Sequence, residues 1–541
     1  VVQGLTRHDT VCTDLIKHLI HPQVQGTAMR PSILPLLLAA LAGVAQALAL
    51  STPWSQEPAG WLQLLAMGVL VGQLQAAHSP RGAAMLTWVF ATSWLVATFW
   101  WLFVAMNTYG DLSAPLAALA VLALAAALAV YYALAAAAYV ALAPGGILPR
   151  AALFAALWTM AEMARGTWLT GFGWGAAGYA HVNGLGALAK WLGLYGITAL
   201  AAFMAAALAG LWAQPSRLRP VWAVLLLMPT LLGAQLPMPA YSTSSGALSV
   251  ALLQGNIAQD QKFQAGTGVV DALQWYGEQL RAQSAALVVA PETALPLLPE
   301  QLPQGYWTGL TQSFAKGAQA ALLGIPLGDL TQGYTNSVVG LKPGAGAEVA
   351  RYQYDKHHLV PFGEFIPPMF RWFTNLMNIP LGDFNRGGIG QRSFEWHGQR
   401  LAPNVCYEDL FGEELGARFL QPDLAPTVLV NVSNLAWFGN TVALDQHRHI
   451  SRMRALEFER PVIRATNTGD TAIIDHTGRV TQALPRHARG VLIGDVQGRT
   501  GITPFAWWVS RWGLWPVWLL CVTVVLVAWL ARRKAQWAAP A

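Results

Sequence analysis

Long apolar runs fill the first 236 positions, near 33–51, 59–76, 84–106, 113–142, 151–168, 191–213 and 218–236, and one more follows near 514–531. Crossing a bilayer takes about 20 apolar residues, so the pattern predicts a membrane bundle of about eight spans. The fourth run is long enough to tilt or to contain a break. The fifth is the weakest, because Glu162 and Arg165 fall in or near it. Such groups belong at a bundle interior or at the interface.

Between the last two runs the pattern shortens. "ALSVALLQGNI", "ALVVAPE", "AALLGIPL", "TNSVVGL", "RLAPNVC" and "PTVLVNVS" read as strands. "VVDALQWYGEQLRAQSA" and "ALDQHRHISRMRALEFER" have helical spacing, and "PVIRATNTGDTAIID" reads as a strand pair with a turn. This predicts an α/β layered domain. The expected division is 29–236 for a seven-span membrane domain, 237–510 for the layered domain, and 511–541 for a final span with a basic tail. Residues 1–28 precede Met29-Arg30-Pro31 and read as an N-terminal extension.

Composition agrees with this division. The chain is 54% hydrophobic and 11% charged. Ile33–Leu236 holds nine formally charged residues, against 42 in Pro237–Arg499. Arg30, Arg81, Arg150, Arg217/Arg219 and Arg532-Arg533-Lys534 fall on alternate connections, whereas "STPWSQEPAG" and "NTYGDLSAP" hold no Lys or Arg. Basic connections stay in the cytoplasm. Both ends are therefore expected inside, and 237–510 on the periplasmic side of a bacterial inner membrane. No basic–aromatic interleaving suggests nucleic acid. The sparse charge of the spans argues against a transporter or channel.

Cys406 is the lone cysteine of the layered region, with no CxxC around it. "VVAPETALP" presents Glu292, "RYQYDKHHLVPFGEFIP" presents Lys356 and Glu364, and "APNVCYEDLF" presents Cys406, each near the end of an extended segment. A thiolate attacks carbonyls, a carboxylate can take its proton, and an ammonium can stabilise the oxyanion. These are the parts for acyl transfer through a thioester. Taken singly, each has a plainer reading: a buried small hydrophobe, a solvated carboxylate, a surface lysine. His357-His358 and His447-x-His449 lack the spacing to share a metal, and no metal or cofactor is expected.

The quoted motifs, with "NVSNLAWFG", resemble the Glu–Lys–Cys signature of the nitrilase superfamily. Together with seven spans before the domain and one after, they resemble its membrane branch, the apolipoprotein N-acyltransferases. That resemblance implies an αββα sandwich. It also implies transfer of an acyl chain from a phospholipid to the α-amino group of a diacylglyceryl-cysteine apolipoprotein, by a monomer in the lipid bilayer. Glu292 would be the base, Lys356 the oxyanion stabiliser and Cys406 the nucleophile, with Glu364, Tyr407 and Glu408 supporting. Two positions depart from the family pattern: Phe263 replaces a common Trp, and Leu435 an acidic residue. A membrane-tethered amidase is the alternative, since the same triad serves hydrolysis.

The aromatic stretch 365–382, with Phe365, Phe370, Trp372 and Phe373, reads as an apolar arm giving lipid access to Cys406. Phe263 and Trp437 are further candidates to line that route. The glycine-rich stretch 170–184 reads equally as part of the route or as a plain loop. Arg448, Arg452 and Arg454 read as a solvated helix face.

Overall fold

The computed structural model describes residues 33–213, 238–329, 331–344, 352–366 and 384–538, with scattered positions between 220 and 233. Seven apolar helices stand where runs were predicted: α1 Ile33–Leu48, α2 Gly60–Ala76, α3 Pro80–Phe99, α4 Ala114–Leu142, α5 Ile147–Thr167, α6 Ala189–Ala213 and α11 Trp515–Ala538. Among the described residues, five helices are long and apolar enough to cross a membrane, and α1 is a shorter apolar helix. The run 218–236 lies largely outside the described residues. Glu162 and Arg165 on α5 are fully buried. Glu162 accepts from Trp158, Thr198 and the Ala177 amide, and Arg165 donates to Tyr132 and to the Phe172 and Trp174 carbonyls. Pairing inside the bundle is what makes these groups tolerable in an apolar helix.

The layered domain has two six-stranded sheets. In the first the order is β12-β1-β2-β3-β4-β5, with β1 Ser242–Gln254, β2 Leu287–Val289, β3 Ala320–Asp329, β4 Gly333–Leu341, β5 Tyr352–Asp355 and β12 Gly490–Gly501. In the second it is β11-β10-β9-β8-β7-β6, with β6 Phe394–Trp396, β7 Gln399–Val405, β8 Val428–Ser433, β9 Val462–Thr466, β10 Ala472–Ile474 and β11 Val480–Ala483. Each sheet has a parallel centre, β1–β2–β3 and β7–β8–β9, with antiparallel flanks. Val250, Leu252 and Val289 meet Val405, Val430 and Val432 between the sheets. Helices α7 Gly268–Ala282 and α8 Tyr306–Lys316 cover one outer face, and α9 Ala443–Phe458 and α10 Pro504–Trp512 the other. This is an αββα sandwich.

The second face is also the membrane side. Its core is continuous with that of the helices through Tyr407, Leu410, Phe411, Ile450 and Met453. Gln446 on α9 accepts from the indoles of Trp174 (2.7 Å) and Trp101 (3.2 Å) and donates to the Thr98 carbonyl. Arg452 reaches Glu57 at 2.7 Å, His449 bonds the Gln56 carbonyl at 2.9 Å, and Lys190 meets Glu459 at 2.7 Å. The connections that touch the sandwich, 49–59 and 168–188, are free of Lys and Arg. The arginines of α9 are thus not a solvated face. Arg452 and Arg454 are buried, and Arg448 pairs with Asp470 at 2.9 Å. Helical spacing alone cannot tell a wet face from one covered by a second, equally polar surface.

Candidate active site

Strand ends deliver the three central groups. Cys406 follows β7 directly and adopts φ +52°, the left-handed region that costs a non-glycine residue strain. Its carbonyl accepts from Asn431 Nδ2 (3.2 Å) and from His447 Nε2 (3.1 Å). Arg464 stands 2.7 Å from the other ring nitrogen of His447, which fixes the tautomer. Lys356 follows β5, and its amide donates to the Asn336 carbonyl at 2.9 Å. Glu292 follows β2 by a short turn.

The polar groups converge. Lys356 Nζ lies 2.9 Å from Glu364 Oε1 and 3.5 Å from Glu292 Oε1. Asn336 Nδ2 donates to both of those oxygens at 2.7 Å, and the Asn434 amide donates to Glu292 Oε2 at 2.8 Å. Glu364 Oε2 accepts from the Val360 amide at 2.8 Å. Burial works against the Lys356 charge, but Glu364 and Glu292 outweigh it and hold its pKa above the usual lysine value. The Cys406 thiol is pushed well above its ordinary value by desolvation and by Glu292, against the pull of Lys356. At rest it is a protonated thiol that needs a base.

Glu408 braces the Cys406 turn. It accepts from the Val405 amide (2.7 Å), the His357 amide (2.7 Å), the His358 amide (3.2 Å) and the Tyr354 hydroxyl (2.7 Å). One carboxylate thus ties the Cys406 turn to the segment carrying Lys356. Tyr407 points the other way, donating its hydroxyl to the Gly171 carbonyl at 2.9 Å.

Two family models match the chain: the apolipoprotein N-acyltransferase N-terminal domain over residues 42–207, and carbon-nitrogen hydrolase over 249–504. An apolipoprotein N-acyltransferase of Verminephrobacter eiseniae is 57% identical over 503 residues, covering 88% of this chain and 92% of that protein. One of Ralstonia nicotianae is 44% identical over 510 residues, covering 93% and 94%. The chain belongs to the apolipoprotein N-acyltransferase family. It is an N-acyltransferase of a bacterial membrane, with a carbon-nitrogen hydrolase fold carrying its site.

The departures from the apolipoprotein N-acyltransferase pattern sit beside this cluster. Leu435 is fully buried. Its neighbour Trp437 meets Tyr109 edge-on at 6.0 Å, and Phe438 packs on Trp101 at 4.3 Å, so this turn contacts the outer end of the helix bundle. Phe263 is exposed, with Lys262 Nζ 5.9 Å from its ring centre. Phe365 is half-buried under the Arg386 guanidinium at 4.8 Å. Phe370, Trp372 and Phe373 lie outside the described residues. The stretch 170–184 is a buried platform: Thr170 and Gly171 carbonyls take His358 and Tyr407, and Trp174 stacks on His447 at 5.6 Å.

Sequence reasoning missed Lys262, Asn336, Ser433 and His447. Lys262 is buried without a carboxylate ion pair among the described residues, and donates to the Glu292 carbonyl (3.1 Å) and Thr293 Oγ1 (2.7 Å). Desolvation lowers its pKa to about 8, against Glu292 and Cys406. Ser433 Oγ donates to Asn431 Oδ1 at 2.6 Å and pulls the Cys406 thiol's pKa down against the larger upward push. Asn336 and Ser433 lie inside segments read as apolar strands. A polar residue at an inward strand position was the available signal.

Proposed function

We propose that the chain moves an acyl chain from a phospholipid to the N-terminal α-amino group of a diacylglyceryl-cysteine apolipoprotein. The reaction runs through a thioester on Cys406, on the periplasmic side of the inner membrane. The membrane part is residues 29–236 with the span in 511–541, and 237–510 carries the chemistry. The convergence of Glu292, Lys356 and Cys406 carries this reading.

Glu292 takes the thiol proton as sulfur attacks the donor ester carbonyl. The Lys356 ammonium, with Glu364 balancing its charge, stabilises the oxyanion. The C–O bond breaks, and the proton on Glu292 passes to the departing lysophospholipid oxygen. In the second half the apolipoprotein amine attacks the thioester, Glu292 takes its proton, and the C–S bond breaks to return Cys406. Attachment of the nucleophile turn to the outer loops through Tyr407 supports a lipid donor over a soluble amide.

The test uses the full chain with labelled phospholipid. A hydroxylamine-sensitive label on Cys406 that moves to the amine of a diacylated lipopeptide is expected, and Cys406→Ala should carry none. Label passing only to water would favour the amidase.

A further inference from the structure

We infer that His447 is a positioning residue for acyl transfer: through its hydrogen bond to the Cys406 carbonyl it holds the left-handed backbone from which the sulfur works. The inference deepens the proposed function and rests on Cys406 as its nucleophile. Cys406 carries a Cβ yet stands at φ +52°. A residue stays in that region only where its surroundings hold it.

Two donors hold its carbonyl. Asn431 Nδ2 lies 3.2 Å away but only 2.6 Å from Asn404 Oδ1, so that group is shared. His447 Nε2 lies 3.1 Å away and has no second acceptor among the described residues. The ring's own partners fix it. Arg464 in β9 stands 2.7 Å from Nδ1, and a guanidinium only donates, so Nδ1 accepts and Nε2 carries the proton. Arg464 is itself held by the His447 carbonyl at 3.2 Å, by Ser451 Oγ and by Asp409 at 3.5 Å. Trp174, from the loops of the helical part, stacks on the ring at 5.6 Å.

A buried histidine beside a cysteine invites a second reading, a Cys–His pair in which the imidazole takes the thiol proton. The geometry rejects it. Nδ1 is occupied by Arg464, and Nε2 already carries a proton and addresses the backbone carbonyl rather than the sulfur. The ring is fully buried, and desolvation with the Arg464 charge holds its pKa well below the ordinary histidine value. His447 therefore offers one N–H at every working pH and takes up no proton. Losing that donor frees the Cys406 peptide to relax toward a less strained conformation, and a sulfur displaced by about 1 Å costs roughly 10²-fold in rate.

Single-turnover labelling of the full chain in detergent with phospholipid tests this in His447→Asn and His447→Gln. The asparagine side chain ends at the reach of Nδ1: it keeps an acceptor for Arg464 and offers Cys406 nothing. The glutamine side chain reaches the position of Nε2 and keeps the donor. His447→Asn should form the thioester about 10²-fold more slowly than the unsubstituted chain, at an unchanged half-saturating phospholipid concentration. His447→Gln should recover about tenfold of that loss. It is also the variant that leaves Arg464 without its acceptor, so unfolding temperatures should not follow the rates. Should His447→Asn fail to fold, His447→Met, which fills the space without an N–H, takes its place. Equal rates in the two variants, a loss confined to the half-saturating concentration, or an acid limb near about pH 6.5 that His447→Gln abolishes overturns the assignment. Absence of label from the unsubstituted chain removes the thioester reading first, and this inference with it.

Discussion

The Lys356 ammonium sits closer to Glu364 than to Glu292, at 2.9 Å against 3.5 Å. The resting cation is therefore anchored by the carboxylate assigned to support, and the carboxylate assigned as base is held by Asn336 and the Asn434 amide instead. On the proposed mechanism, charge balance and proton transfer would fall to different glutamates.

Glu364→Gln should lower the rate of thioester formation about 10- to 100-fold, the scale of a lost charge-assisted hydrogen bond. Glu292→Gln should cost more, about 10²- to 10⁴-fold, because it removes the base. Single-turnover labelling with phospholipid compares the two. Equal losses would contradict the division of roles.

Lys262 should give the first half-reaction an alkaline limb. Its folded pKa of about 8 lies below the ordinary 10.5, so its charge opposite Glu292 and the forming thiolate disappears as pH rises through about 8. Thioester formation should slow there, and Lys262→Met should be slower throughout and lack the limb. The first half-reaction contains no acceptor amine, so its pH profile is free of that group. The folded chain releases this proton before the unfolded chain does, so the group's contribution to stability rises between about pH 8 and 10.5.

Removing the Glu408 carboxylate should destabilise far more than removing one of its donors. Glu408→Leu leaves three amides and the Tyr354 hydroxyl unpartnered, at a cost of about 3 kcal/mol or more, whereas Tyr354→Phe should cost about 1 kcal/mol. Thermal unfolding in detergent measures both. Similar midpoints for the two variants would show that Glu408 is not the brace.

Gln446→Leu should loosen the sandwich from the helices. It strands the indole N–H of Trp174, worth about 1–3 kcal/mol, while Trp101 keeps its bond to the Thr98 carbonyl. Hydrogen exchange should quicken in 168–184 and at the outer end of α3, with the sheets unaffected.

The layered domain was legible because its strands are short apolar runs ending in reactive polar groups, as at Glu292 and Cys406. The helices were legible by length. The flanking strands β6, β11 and β12 were not: β11 is exposed or half-buried throughout, and β12 mixes buried with exposed positions and polar residues into the pattern. The role of α9 was misread for a related reason. Arg452 finds its carboxylate on Glu57, almost 400 positions earlier in the chain, and no local pattern carries that distance. Lys262 was hidden in plain view, beside a Phe263 that drew attention as a departure.

The hydrogen bond from Tyr407 to Gly171 makes the neighbour of Cys406 a rivet into the helical scaffold. The sulfur accordingly has a fixed height relative to the helices. On the proposed mechanism, ester groups floating at that level would meet it and others would pass above or beneath, which would make part of the discrimination among donors a matter of depth.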